Sequence, residues 1–121
     1  MKQTTSHAVQ NGLIFVEDVK GGRSPDPFTD EKIQFTSSCV SVACLHEVDG
    51  EAELTLGPAE DVSPGWDAEF DGVIETPSKV VVISTVPGDH LLKANVPDAT
   101  TRIRVWRNHP VWADKVVIGW G

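Results

Sequence analysis

Apolar and polar residues alternate along most of this chain with the two-residue period of β-strands, and nowhere for long with the period of a helix. Leu13-Ile14-Phe15-Val16 centres a first strand over roughly residues 12–19, closed by Gly21-Gly22. Arg23–Phe28 reads as a Pro-containing loop, and Thr29-Asp30-Glu31-Lys32 opens with an N-cap and early acids, the makings of one short helical turn. Two β-branched runs, Thr36–Val48 and Glu51–Leu56, flank Asp49-Gly50, a dipeptide suited to the positive φ angles of a type I′ turn. They predict a hairpin in which Leu45 faces Leu54, Ala43 faces Leu56 and His46 faces Glu53. Ala43, Leu45, Ala52, Leu54 and Leu56 then share the core side.

Beyond the loop Gly57–Gly65, Trp66–Phe70 alternates with Trp66, Ala68 and Phe70 inward; Asp71-Gly72 shifts the phase before Val73–Thr76. Lys79–Val86 carries a continuous Val-Val-Val-Ile, the signature of a strand covered on both faces. His90–Val96, Thr101–Asn108 and Lys115–Trp120 complete the series. In Thr101–Asn108, Ile103 and Val105 point inward, which turns Arg102, Arg104 and Trp106 to the other side. About eight short strands at regular spacing, without intervening helices, predict an all-β fold: one antiparallel β-sandwich domain over residues 1–121, with at most one short helical turn. A sheet edge near Leu13–Val16 would be free to pair between chains.

Composition narrows the function. The chain has 121 residues, 18 acidic side chains against 10 basic ones and a formal net charge of −8. That balance argues against a nucleic-acid binder, which needs clustered Lys and Arg to displace phosphate counterions. The hydrophobic content argues against disorder, and no apolar run approaches the roughly 18 residues of a membrane span. The first dozen residues are polar, unlike a secretion signal. Residues 33–78 hold all ten of their charges as carboxylates: Glu47, Asp49, Glu51, Glu53, Glu60, Asp61, Asp67, Glu69, Asp71 and Glu75. Residues 79–121 carry six cations against three acids. Such a bipolar chain would steer a basic partner toward its middle segment, or the acids serve only solubility.

Little in the chain suggests catalysis. Nucleophile elbows, phosphate loops and metalloprotease helices are absent, and His7, His46, His90 and His109 are scattered singly. A His46–Glu53 cross-strand pair could orient an imidazole, although such pairs are usually surface ion pairs. Carboxylates of the middle segment could gather around calcium, but without EF-hand spacing, so neither metal nor other cofactor is expected. Cys39 and Cys44, at odd separation in one strand, point to opposite faces and should stay reduced, which suits the cytoplasm. Among four tryptophans, Trp66 and Trp120 share phase with core residues. Trp106, beside Arg102 and Arg104, and Trp112, in a polar loop after Pro110, are the candidates for binding.

Phe28-Thr29-Asp30-Glu31 before a Ser- and Val-rich strand resembles the opening of the competence protein J (ComJ) family. The later course is similar too: Lys79–Ser84, then Leu91-Leu92-Lys93-Ala94-Asn95-Val96-Pro97-Asp98, and a strand ending in Trp106. The segment after Glu31 is shorter here than in that family. The resemblance covers about two-thirds of the chain and implies a small, acidic, β-rich inhibitor of a bacterial DNA-entry nuclease, with no inhibitory residue assigned. The residues then indicate a non-enzymatic acidic protein that neutralises a basic protein partner such as a nuclease. It would act through Glu47, Asp49, Glu51, Glu53, Asp67, Glu69, Asp71 and a Trp112 anchor. The alternative is a ligand-binding module in which Arg102, Arg104 and Trp106 hold a sugar or small anion.

Overall fold

The computed structural model describes residues 2–25 and 31–121. Thr29 and Asp30 of the helical turn expected at Thr29–Lys32 lie outside the described residues, as does the Phe28–Asp30 part of the family-like motif; Glu31 and Lys32 are not helical. In chain order the elements are β1 (Gln3–His7), β2 (Leu13–Asp18), β3 (Ile33–Phe35), β4 (Cys39–Ala43), β5 (Ala52–Pro58), α1 (Ala59–Val62), β6 (Phe70–Glu75), β7 (Val80–Thr85), β8 (His90–Asn95), β9 (Thr100–Arg107) and β10 (Lys115–Trp120). They form two five-stranded sheets, ordered β1-β5-β10-β9-β6 and β3-β4-β2-β7-β8. Every pairing is antiparallel except β5 with β10, which run parallel.

The expected all-β sandwich is present, with ten strands where about eight were read. The additions are β1 and β3. Gln-Thr-Thr-Ser-His has no apolar residue to announce a strand; its threonines suit an extended edge, where one side of the backbone ladder is left over. Between the sheets, Leu54, Leu56, Ile103, Val105, Val116 and Ile118 meet Ile14, Val16, Val40, Val42, Val81 and Ile83, all buried. Each such side chain contributes about 1.5–3 kcal/mol by leaving water. The Val-rich β7 lies between β2 and β8 and is buried on both faces, as its composition requires.

The hairpin expected around Asp49-Gly50 does not form. β4 belongs to one sheet and β5 to the other, so neither the Leu45–Leu54 nor the His46–Glu53 pairing exists. Ala52, Leu54 and Leu56 do face the core, but β5 is bonded to β1 and β10, with Glu53 opposite Ser6 and Lys115. Alternation specifies which face of a strand is buried; it carries no information about which sheet supplies the neighbours. β2, expected as a free edge, is central between β4 and β7. The outer edges meet across the sandwich instead: Glu75 N donates to Ser37 O at 2.8 Å, and the Phe35 and Phe70 rings lie 5.1 Å apart.

At the far end of β2, the Asp18 carboxylate accepts Ser78 N at 2.8 Å and Lys20 N at 3.0 Å, tying β2 to the β6–β7 turn. Burial pushes its pKa up, but the Lys20 and Ser78 hydrogen bonds and the Lys20 charge outweigh that and hold it below the usual value. A carboxylate whose pKa is lower in the folded state stabilises the fold above its unfolded pKa. That contribution is lost as pH falls through the folded value. Asp18→Asn is therefore expected to cost about 1–3 kcal/mol at pH 7 and much less at pH 2, read from urea denaturation at both pH values.

Candidate functional site

One end of the sandwich gathers three loops. The β4–β5 crossing, residues 44–51, is held to the β9–β10 tip, residues 108–114, by Leu45 N to Ala113 O at 2.8 Å and Glu53 N to Asp114 O at 2.7 Å. Glu47 N donates to Val9 O at 3.0 Å and Cys44 N to Gly12 O at 2.8 Å, which brings in residues 8–12. Gly12 has φ 61°, and a Cβ there would sit 2.7 Å from Cys44 O, so this close approach demands glycine. The crossing contains a single 3-10 turn, Glu47–Asp49, capped by His46, whose Nδ1 accepts Val48 N at 3.3 Å. In the tip, His109 Nδ1 accepts Val111 N at 3.1 Å and Trp112 N at 2.9 Å. The His109 and Trp112 rings stack, 5.8 Å apart and 10° from parallel. Asn108 closes the base, donating to Asp114 Oδ1 at 2.6 Å and accepting Lys115 N at 3.1 Å.

These loops leave large apolar groups in solvent: Val48 is 79% exposed and Trp112 65%. Glu47, Asp49 and Glu51 stand exposed around them and, among the described residues, have no ion-pair partner. The structure thus brings these three expected carboxylates and Trp112 to one end. Glu53, half-buried in β5, adjoins them.

The other expected carboxylates follow a different course. Asp67 is exposed in the loop before β6. Asp71 receives Arg102 Nε at 2.8 Å and Nη2 at 2.6 Å; this bond, with the nearby Arg102 and Arg104 charges, holds its carboxyl below the usual range. Both partners of that pair are about half exposed, so it adds little stability. Glu69 is bound by Arg107, whose side chain is almost wholly buried. Arg107 Nε reaches Glu69 Oε1 at 2.8 Å, Nη2 meets Glu69 Oε2, and Nη1 donates to Ala43 O at 3.1 Å. This arginine bolts the two sheets together beneath the loops, and the sequence reading gave it no role. The signal was there: with Ile103 and Val105 inward, residue 107 is inward too.

The expected Arg102–Arg104–Trp106 face is corrected at Trp106. Its ring is only 3% exposed, buried beneath α1 and residues 64–68 with Ala59, Val62, Ala68 and Val117, and its Nε1 donates to Trp66 O at 2.8 Å. Trp66, expected inside, lies in a loop and is 58% exposed. The outer face of a strand is apolar-tolerant wherever another segment covers it, and strand phase does not reveal the cover. Trp120 packs partly buried against the core, in the phase expected. Arg104 lines a recess of about 350 Å³ with Pro58, Ala59, Glu60, Trp120 and Gly121. Its Nη2 donates to Gly121 O at 2.7 Å, while Arg104 Nε and Trp120 Nε1 are buried without an acceptor among the described residues.

Cys39 and Cys44 are both buried and free. Burial, with the Glu17 carboxylate beside it, pushes the Cys39 thiol up to about 12; burial pushes Cys44 up to about 11 against the pull of Arg107. At pH 8 fewer than about one thiol in a thousand is then ionised, so neither cysteine should react with Ellman's reagent in the native protein. Both should titrate in guanidinium; rapid native reaction would contradict this burial. Among the described residues no three His, Cys, Asp or Glu side chains converge as a metal would require.

No family model matches the chain, and no curated protein sequence does. Among solved structures, ComJ from Bacillus subtilis, an inhibitor of the DNA degrading activity of NucA, superposes with a TM-score of 0.70. The match covers 98% of this chain and 93% of that one at 9% identity. A structure described as crocagin biosynthetic gene J gives a TM-score of 0.57 over 99% of this chain and 97% of that one, at 13% identity. At these identities the likeness is one of fold.

Proposed function

We propose that this chain is a non-enzymatic binding protein that inhibits a basic protein partner, with a nuclease as the partner class. The observation that carries the reading is the loop end, where Glu47, Asp49 and Glu51 stand exposed and, among the described residues, without an ion-pair partner, on the same end as exposed Trp112. A nuclease groove is lined by cations that expect phosphates, and carboxylates on well-tied loops offer charge of the same sign. Long-range attraction speeds encounter, and a central aromatic supplies the slow dissociation. Asp67 stands exposed in the loop before β6, and Glu53 adjoins this acidic surface. Glu69 and Asp71, engaged by Arg107 and Arg102, shape it more than they charge it. The ComJ fold supports an inhibitor role, and reduced, inert thiols suit the cytoplasm.

The test adds the purified protein to an extract of the organism that encodes it and follows degradation of linear DNA. Dose-dependent suppression is expected, and a Glu47→Lys/Asp49→Lys/Glu51→Lys triple variant should lose it by roughly tenfold or more at low salt. No suppression at any dose, or equal potency of the triple variant, overturns the reading.

A second reading draws on the two unsatisfied donors. Arg104 and Trp120 would hold the carboxylate of a small acid in their recess, while Arg102, held by Asp71, and the buried Trp106 stand outside its lining. Titration of tryptophan fluorescence with citrate and with neutral sugars decides it. A saturating change with citrate, absent in Arg104→Gln, supports a ligand module, and a flat response rejects it.

A further inference from the structure

We propose that His109 is the positioning residue of the loop end, holding Trp112 as a pre-formed anchor that enters an apolar notch on the basic protein partner. The proposal rests on the binding reading above and adds how the surface is kept ready. An exposed tryptophan on a free loop loses backbone and rotamer freedom when it docks, a cost on the order of 1 kcal/mol for each ordered side chain. Here that freedom is already removed. The imidazole accepts both Val111 N and Trp112 N through Nδ1, closing the turn after Pro110 as an Asn side chain does in an Asx turn. The same ring lies flat against the Trp112 indole, so one histidine fixes both backbone and side chain.

The neighbouring loop uses the same device. His46 Nδ1 accepts Val48 N and presents Val48, the most exposed large apolar residue among those described. The two loops are joined through Leu45 N and Ala113 O. Two imidazoles acting as acceptors, each followed by an exposed apolar group, place two projections on the end of the sandwich that also carries Glu47, Asp49 and Glu51. Those carboxylates commit the partner to a basic protein, and DNA itself is repelled.

His109 is exposed and outside the core, so its substitution leaves the fold intact. Asn places Oδ1 where His places Nδ1 and should keep both bonds; Ala cannot. Two readouts are compared in the full-length chain, with thermal unfolding as the check on folding. First, amide exchange at Val111 and Trp112 should accelerate about tenfold or more in His109→Ala and return close to wild type in His109→Asn. Second, in the DNA-degradation assay with cell extract, Trp112→Ala and His109→Ala should each need about tenfold more protein for half-inhibition, and His109→Asn should need within about twofold of wild type. Unchanged exchange in His109→Ala overturns the positioning role, as does lost protection with undiminished potency. Full potency of Trp112→Ala overturns the anchor. If the wild-type chain fails to inhibit, the binding reading and the anchor fall together. The exchange series then reports separately whether His109 holds the turn.

Discussion

Glu69→Ala should destabilise the protein by about 2–3 kcal/mol, one of the two largest losses expected from a single surface-reaching substitution. Glu69 is partly in solvent, but its partner is not: the Arg107 side chain is 1% exposed and sits at the end of the core. Remove the carboxylate, and the guanidinium is left with the Ala43 and Pro110 carbonyls, too few acceptors for five donors and no countercharge. The partial exposure of Glu69 lets water replace some of the lost bonds, which keeps the loss below that of a fully enclosed pair. The double variant Glu69→Ala/Arg107→Met should recover most of the loss seen in Glu69→Ala, because it removes the charge together with its partner. Urea denaturation of the two single variants and the double variant measures this as a cycle. A loss below about 0.5 kcal/mol in Glu69→Ala would mean that Arg107 swings out to water.

Gly119→Val should cost about 2–4 kcal/mol, against the direction that strand propensity gives. Valine is favoured over glycine in a strand, so β10 considered alone would gain from the change. The outer face at Gly119 has no room. A Cβ there would lie 2.9 Å from Ala59 Cα and 3.0 Å from both Ala59 Cβ and Trp106 Cζ3. α1 would have to lift, which strips the cover from Trp106 and strains its bond to Trp66 O. The near-UV circular dichroism of the tryptophans should weaken together with the denaturation midpoint. A gain in stability would show that α1 is free to move.

The strands most legible in the sequence were those whose apolar run answers to the core alone. Lys115–Trp120 has the ends its pattern gave, His90–Asn95 differs from its pattern by one residue at its end, and Thr100–Arg107 is shifted by one residue at both ends. β1 was invisible because an edge strand needs no apolar face. The β4–β5 crossing was misread because Asp49-Gly50 supplies the backbone freedom for a hairpin without dictating one; Gly50 does take a positive φ, at 133°, but after a 3-10 turn. The exchange of Trp66 and Trp106 between inside and outside depends on α1 and residues 64–68, a cover of no clear period. Of the candidate site, the exposure of Glu47, Asp49 and Glu51 could be read directly. The engagement of Glu69 and Asp71 could not, since it follows from the pairing of β6 with β9. The two histidine acceptors were likewise hidden, because their role is local backbone geometry and not chemistry.

The parallel pairing of β5 with β10 has a consequence in time. β5 and β9 share no bonds and are joined through β10, so this sheet exists as two fragments until the last strand arrives. β9 and β10 can form their hairpin locally and quickly. Its docking onto β5 pairs residues more than fifty positions apart in the chain, such as Glu53 with Lys115, which places the fold among the slower ones, milliseconds to seconds. That late docking is also the step that forms the Leu45–Ala113 and Glu53–Asp114 bonds. The acidic crossing and the Trp112 tip are therefore brought together at the close of folding, and an unfinished chain presents only half of the surface.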